Sequence, residues 1–297
     1  MSTFLVTGAS RGLGRAIVVA ALAAGHQVVA GVRDPRALDD LLADDLPDGD
    51  GGSARLVVVP LDVTDRAQAE RAVHTVVDRF GRLDVLVNNA GYANVTSIED
   101  ADPADFRAQV DTNLFGVVNL TQAALPVLRA QRGGHVVQVS SVGGRMASPG
   151  LGAYQTAKWA VGGFSSVLAA EVAPLGIKVT VLEPGGMRTD WAGSSMRVDD
   201  VRPDYAATVG VSAERMGEQA LTMASDPAKV AELLLRVVAM DEPPLRLLVG
   251  PDAYRYATAV GRALLESDER NRELSESTAA ADATPEQLDP LGAGARP

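Results

Sequence analysis

The chain contains no cysteine, which removes disulfides, thiolate metal sites and a cysteine nucleophile from consideration. Histidine is nearly as scarce. His26, His74 and His135 are scattered without the spacing of metal ligands, so no metal centre is expected. The 27 basic residues are outnumbered by 38 acidic ones, and a net charge of −11 leaves no broad basic face for nucleic acid or an anionic membrane. A local basic pocket for a single phosphate stays open. No apolar run is long enough to span a bilayer, and no N-terminal basic stretch leads into an apolar core with a cleavage site. A cytoplasmic protein is expected. What is present, 297 residues with 46% hydrophobic and 22% charged, is ordinary for one large globular domain.

Apolar, β-branched runs recur at a regular beat: 4–7, 27–32, 55–61, 84–89, 134–141, 177–184 and 245–250. They are near-continuous Val/Leu runs rather than alternating ones, the pattern of strands covered on both faces. Segments such as 104–131 and 152–173 are long enough to cross between them as helices. The expected fold is α/β: a doubly wound, parallel, seven-stranded sheet of the Rossmann type, helices on both faces, in one domain over 1–250. Asp102 before Pro103 and Asp226 before Pro227 each read as an N-cap followed by proline at the first helical position. After Pro227, Val230, Leu233, Leu234, Val237 and Val238 form one apolar face that should lie on the sheet. The beat breaks over about 190–226, an insertion of the length that lids have. A helical extension is expected over 251–274, and a loose tail or a partner-packing arm from 275 to 297.

The first strand runs into TGASRGLG (7–14), with glycines at 8, 12 and 14. In a doubly wound fold this strand-to-helix turn opens the ligand crevice, and small residues let backbone N–H groups approach a pyrophosphate. A tight turn without a ligand would use the same glycines. Such sites separate NAD from NADP at the end of the second strand, where a carboxylate takes the ribose 2′-hydroxyl and an arginine takes a 2′-phosphate. Here the strand ends with Val32 and Arg33, Asp34 follows closely, and Arg11 reaches towards the same place from the glycine loop. Two guanidiniums suit a phosphate dianion, so NADP(H) is the expected cofactor. Either arginine alone is equally consistent with a solvated surface charge.

Tyr154 and Lys158 are spaced i, i+4 at the start of a helical segment and so share a face. Ser141 lies at the carboxyl end of a strand, where ligands sit in open α/β sheets. A free tyrosine, with a pKa near ~10, is a poor base at neutral pH. A neighbouring ammonium and an oxidised nicotinamide would both favour its phenolate. Ser141 would then bond the substrate oxygen while Tyr154 exchanges a proton. The alternatives are a core tyrosine, a surface lysine and a serine that caps a turn.

In order along the chain, TGASRGLG (7–14), LDVTD (61–65), NNAG (88–91), Asn113 in DTNLFG, Ser141, YQTAK (154–158) and PGGMRT (184–189) resemble the short-chain dehydrogenase/reductase family. The resemblance covers about residues 3–250. It implies a catalytic tetrad of Asn113, Ser141, Tyr154 and Lys158, with Asn113 holding a water that links Lys158 to solvent. It also implies cofactor contacts from Gly8, Ser10, Arg11, Gly12, Leu13, Gly14 and Arg33, and from Asp62 and Val63 flanking the adenine. Asn89, Ala90 and Gly91 would line the cleft beside Tyr154 and Lys158. Pro184, Gly185, Met187 and Thr189 would form the far wall, with Met187 and Thr189 at the nicotinamide end. The glycine spacing differs from that of the extended, epimerase-like relatives. The paired glycines of PGGMRT and the segment after Pro251 are less typical of the family.

The expected function is NADPH-dependent reduction of a ketone or aldehyde, reversible as a secondary alcohol dehydrogenase. A non-catalytic NADP(H) sensor and a lyase or isomerase on the same fold are the alternatives. A small-molecule carbonyl or alcohol substrate would enter between segments 92–98, 143–151 and 190–226. That lid offers Trp191, Met196, Val201, Tyr205, Val209, Met216 and Leu221, which would serve a partly apolar substrate or ordinary packing. Arg145 and Arg188 would meet an acidic group or be solvated. Family members are usually dimers or tetramers, so the resemblance implies a homodimer or homotetramer formed through the helices near 104–131 and 152–173.

Overall fold

Seven of the apolar runs form seven parallel strands: β1 (Thr3–Thr7), β2 (Gln27–Val32), β3 (Leu56–Pro60), β4 (Val85–Asn88), β6 (Gly134–Val139), β7 (Ile177–Pro184) and β9 (Arg246–Val249). Their order across the sheet is β3-β2-β1-β4-β6-β7-β9. The computed structural model describes residues 1–43, 55–189, 196–219 and 223–290. Two short strands, β5 (Ala93–Val95) and β8 (Met196–Val198), pair in a separate parallel ribbon above the main sheet's carboxyl ends. No periodic signal in the sequence marks this ribbon, because three-residue strands are too short to carry one.

Burial on both faces explains the continuous apolar runs. Phe4 and Val6 of β1 join one layer with Ile17, Val18 and Leu22 of α1 (Gly12–Ala23) and Val230 and Leu234 of α7 (Pro227–Val238). Leu5 points the other way, into a layer with Val73 and Val76 of α2 (Arg66–Phe80), Leu120 and Leu128 of α4 (Gly116–Gln131) and Leu168 of α5 (Gly152–Val172). A strand has a side-chain period of two, so sandwiching it between helices makes every position apolar. Each fully buried leucine contributes about 1.5–3 kcal/mol through burial.

The helix starts follow their chemistry. The Asp102 carboxylate accepts the Ala104 N–H at 2.7 Å at the head of α3 (Pro103–Val110), and Asp226 accepts the Ala228 N–H at 2.9 Å at the head of α7. Val230, Leu234 and Val237 are buried, with Leu233 and Val238 packed beside them. Segment 104–131 is not one regular helix: a π-helical turn, Asp111–Phe115, separates α3 from α4. Within the insertion, helix α6 (Val211–Gln219) follows a π-helical turn, Ala206–Gly210.

The chain divides into two compact units, Met1–Ala257 and Thr258–Pro297. The first carries both sheets and all the residues discussed below. It includes the opening turns of helix α8 (Pro251–Arg270), where Ala253 and Ala257 are buried. The second contains the remainder of α8 and the short helices Arg272–Glu276 and Pro285–Leu288, the last closed by a Thr284/Gln287 capping box.

Candidate active site

The sheet order reverses between β1 and β4, and a cleft of about 790 Å³ opens at the carboxyl ends of these strands. Every residue expected in the tetrad or in contact with the cofactor lines it. Gly8, Ser10, Arg11, Gly12, Leu13, Gly14 and Arg33 lie towards one end, and Asp62, Val63, Asn89, Ala90 and Gly91 follow. Asn113, Ser141, Tyr154, Lys158, Pro184, Gly185, Met187 and Thr189 complete the wall.

At the glycine loop, Gly8 and Gly12 adopt left-handed φ of 64° and 54°. A Cβ on Gly8 would stand 2.8 Å from the Ala90 Cα. On Gly14 it would fall on the Gly8 carbonyl and the Asn89 side chain. The loop is clamped by the neighbouring strand. Asn89 Nδ2 donates to the Thr7 and Gly8 carbonyls at 2.9 and 3.2 Å, while the Thr7 hydroxyl accepts the N–H groups of Asn89 and Ala90, both at 3.0 Å. Thr7 was not singled out in the sequence, although its place beside Gly8 in the motif was the available signal. Helix α1 has no side-chain cap and no acidic residue in its first turn. Its first N–H groups therefore present a donor set on the cleft wall that fits a pyrophosphate.

Arg11, within this loop, and Arg33 are both exposed on the cleft. Asp34 does not line it. Its carboxylate accepts from the Arg36 backbone N–H and from the Arg36 guanidinium, at 3.0–3.1 Å, and Arg36 holds its pKa below the ordinary value. Asp62 holds a turn, accepting from the Thr64 N–H at 2.9 Å and the Thr64 hydroxyl at 2.7 Å, while also lining the cleft.

Asn113 sits in the π-helical turn, fully buried, and its Nδ2 donates to the Tyr92 and Gln109 carbonyls, both at 2.8 Å. Single π turns in longer helices commonly mark functional positions. The Asn113 Oδ1 is left without a hydrogen-bond partner among the described residues. A Cβ on Gly91 would lie 2.5 Å from that oxygen and 3.5 Å from Lys158 Nζ, so glycine there lets the two groups face one space. Lys158 is buried, donates to the Val139 carbonyl at 2.9 Å and stands 5.6 Å from the centre of the Tyr154 ring. Ser141 does cap a turn, accepting the Gly143 N–H at 3.0 Å, and its side chain also hydrogen-bonds Tyr154.

The electrostatics differ from the sequence expectation. Burial pushes the Tyr154 phenol up to about 12, only partly offset by the Ser141 hydrogen bond. Burial pulls Lys158 down to about 8. Desolvation thus outweighs the expected help from the ammonium in the protein alone. Tyr154 keeps its proton at neutral pH, which equips it to give a proton rather than take one.

A family model described as short chain dehydrogenase matches residues 2–199. The chain belongs to the short-chain dehydrogenase/reductase family. This oxidoreductase is 54% identical over 276 residues to Oxidoreductase BOA17 of Botryotinia fuckeliana (strain B05.10), covering 93% of this chain and 98% of that protein. A short-chain dehydrogenase from Streptomyces avermitilis superposes with a TM-score of 0.85 at 38% identity, covering 94% of this chain and 100% of the other. The closed form of serine dehydrogenase complexed with NADP+ gives 0.71 at 29% identity, covering 84% and 94%.

At the opposite end of the cleft of this short-chain dehydrogenase, Asn94, Ala108, Asp111, Thr112, Met196, Arg197 and Met223 join the lining. Of these, only Met196 is among the lid residues expected from the sequence. They come from the β5/β8 ribbon, α3, the π-helical turn and the end of the insertion, and of them only Asp111 and Thr112 fall within a motif, DTNLFG. Much of the expected lid is packing: Val209 is buried with Ala93, Val95, Leu151 and Tyr154, and Val201, Tyr205 and Met216 pack against this group. Trp191 and Leu221 lie outside the described residues. Neither Arg145 nor Arg188 lines the cleft. Arg145 pairs with buried Glu183 at 2.5 Å, as Arg246 does at 3.0 Å, and Arg188 Nε donates to the Met223 carbonyl at 2.7 Å.

Proposed function

We propose that this protein is an NADPH-dependent reductase of ketones or aldehydes, working in reverse as a secondary alcohol dehydrogenase, with Asn113, Ser141, Tyr154 and Lys158 as catalytic residues. The observation that carries this reading is the Tyr154 phenol, buried on the cleft wall, bonded to Ser141 and protonated at neutral pH. When bound, NADPH supplies hydride to the carbonyl carbon. Ser141 donates a hydrogen bond to the carbonyl oxygen. The Tyr154 O–H bond breaks as its proton passes to that oxygen, leaving a phenolate. Lys158, cationic below about pH 8, stabilises that phenolate. The proton is replaced from solvent past Lys158 Nζ and a water held at the Asn113 Oδ1. A complete tetrad in one cleft favours an enzyme over a sensor that only binds the nucleotide.

Selection of NADP(H) rests on Arg11 and Arg33 at the glycine-loop end of the cleft and on the engagement of Asp34 with Arg36. A carboxylate there would repel a 2′-phosphate, and Arg36 neutralises the nearest one. The NADP+ complex of the similar serine dehydrogenase agrees with this choice. The proposed catalytic domain is 1–250, with 190–226 over the substrate and 251–274 as a helical extension. No described helix is long and apolar enough to cross a membrane, in keeping with a cytoplasmic site of action. Exposed Trp159 and Val167, eight residues apart on α5, and exposed Phe115 support a homodimer or homotetramer through this face.

Calorimetric titration with NADPH and NADH side by side, followed by a carbonyl panel read at the nicotinamide absorbance, tests the proposal. Tight NADPH binding, weak NADH binding and net NADPH consumption are expected. Equal or NADH-favoured binding overturns the cofactor assignment, and substrate conversion with no net change in NADPH overturns the reductase assignment.

A further inference from the structure

We propose that Asp252, which lies outside the segment matched by the family model and outside the catalytic tetrad, is a positioning residue for the cofactor: it fixes the loop 184–187 at the nicotinamide end of the cleft. This rests on the dinucleotide reading above. Two features set apart in the sequence, the paired glycines Gly185 and Gly186 and the segment after Pro251, meet at this point. The Asp252 Oδ2 accepts the Gly186 N–H at 2.6 Å, across 66 residues of sequence. Pro184, Gly185, Gly186 and Met187 line the cleft and Asp252 does not, so one side of the loop faces the ligand while the other rests on the carboxylate.

Two glycines make room for that carboxylate. A Cβ on Gly250 would stand 2.8 Å from an Asp252 oxygen, and on Gly185 it would fall directly on the carboxylate. Gly250 also takes a φ of 105°, which directs the chain from β9 into α8 and places Asp252 beneath the loop. Further bonds secure the same loop: Gly185 N–H to the Val249 carbonyl at 3.0 Å, Ser225 N–H to the Gly186 carbonyl at 3.1 Å and Arg188 N–H to the Ser225 carbonyl at 3.0 Å. These are all backbone bonds. Asp252 supplies the charged bond to the paired glycines themselves, and hydrogen bonds to charged groups are the stronger class. The loop runs on to Thr189, whose side chain stands against Gly12 at the head of α1. A shift at Gly186 therefore changes how the cleft closes over the nicotinamide half of a dinucleotide and leaves the clamp on the glycine loop intact.

The test measures binding, not turnover, using NADPH and 2′,5′-ADP, a probe that has the adenosine and 2′-phosphate but no nicotinamide. Asp252→Ala should weaken NADPH by about tenfold or more, judged from the strength of charged hydrogen bonds, and leave 2′,5′-ADP within about twofold of wild type on the same grounds. Asp252→Asn keeps an acceptor oxygen for the Gly186 N–H and should restore most of the loss. An unchanged NADPH Kd, or equal weakening of both ligands, overturns the proposal, because a merely structural aspartate would affect both ends alike. If Asp252→Ala does not fold, Gly185→Ala presses the loop off the carboxylate from the other side, and the same selective loss is expected. Absence of selectivity there is equally fatal. Should the wild-type protein prefer NADH, the cofactor assignment fails separately, and NADH with 5′-AMP decides the role of Asp252 by the same criteria. Failure to bind either dinucleotide overturns both.

Discussion

The two loops that wall the cleft are held by different means. Loop 7–14 is clamped from the neighbouring strand: Asn89 and the Thr7 hydroxyl tie β4 to β1, and all the atoms belong to two short motifs. Loop 184–189 is held by Val249, Ser225 and Asp252, contributed by the last strand, the end of the insertion and the start of α8. A grip made by adjacent parallel strands survives changes elsewhere in the chain, whereas the second depends on the closing segments of the catalytic unit being in place. On the proposed reading, separate grips mean that the nucleotide end and the reacting end of this site should respond separately to substitution.

Four experiments break or sharpen that contrast. The largest effect should come from Tyr154→Phe, which touches neither loop: carbonyl reduction should fall about 10²–10⁴-fold with loss of the proton donor, while the NADPH Kd measured by calorimetry stays near wild type. Retained turnover would remove Tyr154 from its role. At the nucleotide end, Arg11→Ala and Arg33→Ala should each reduce the NADPH-to-NADH affinity ratio by about tenfold or more, since each removes a charge-assisted contact. NADH binding itself should hardly change.

Asn89→Ala strips the glycine loop of two part-buried hydrogen bonds, to the Thr7 and Gly8 carbonyls, a cost of about 1–3 kcal/mol. Urea denaturation should show it, and NADPH, NADH and 2′,5′-ADP should weaken together. That uniform loss is the reverse of the selective loss expected at Asp252. The smallest effect is in pH dependence. Lys158 is pulled down to about 8, so it is cationic below that pH and neutral above it. Since the cation supports the phenolate left after proton delivery, kcat/KM for reduction should be level below about pH 8 and decline above it. Lys158→Arg keeps the charge and should move the break upward, and an unmoved break would assign it to another group.

The order of amino acids is enough to place the seven strands, the glycine loop, the N-caps Asp102 and Asp226, and a set of tetrad and cofactor-contact residues that all line one cleft. These were legible because their causes are local: burial on both faces writes a continuous apolar run, and a tight strand-to-helix turn needs glycine. The tertiary structure alone decided the β5/β8 ribbon, the π-helical turn that carries Asn113, the turning of Arg145 to Glu183 and of Asp34 to Arg36, and the seat of Asp252 beneath Gly186. It also decided that Tyr154 keeps its proton. In each case the outcome depends on which groups meet, and on how much water is excluded where they do. Spacing along the chain sets neither.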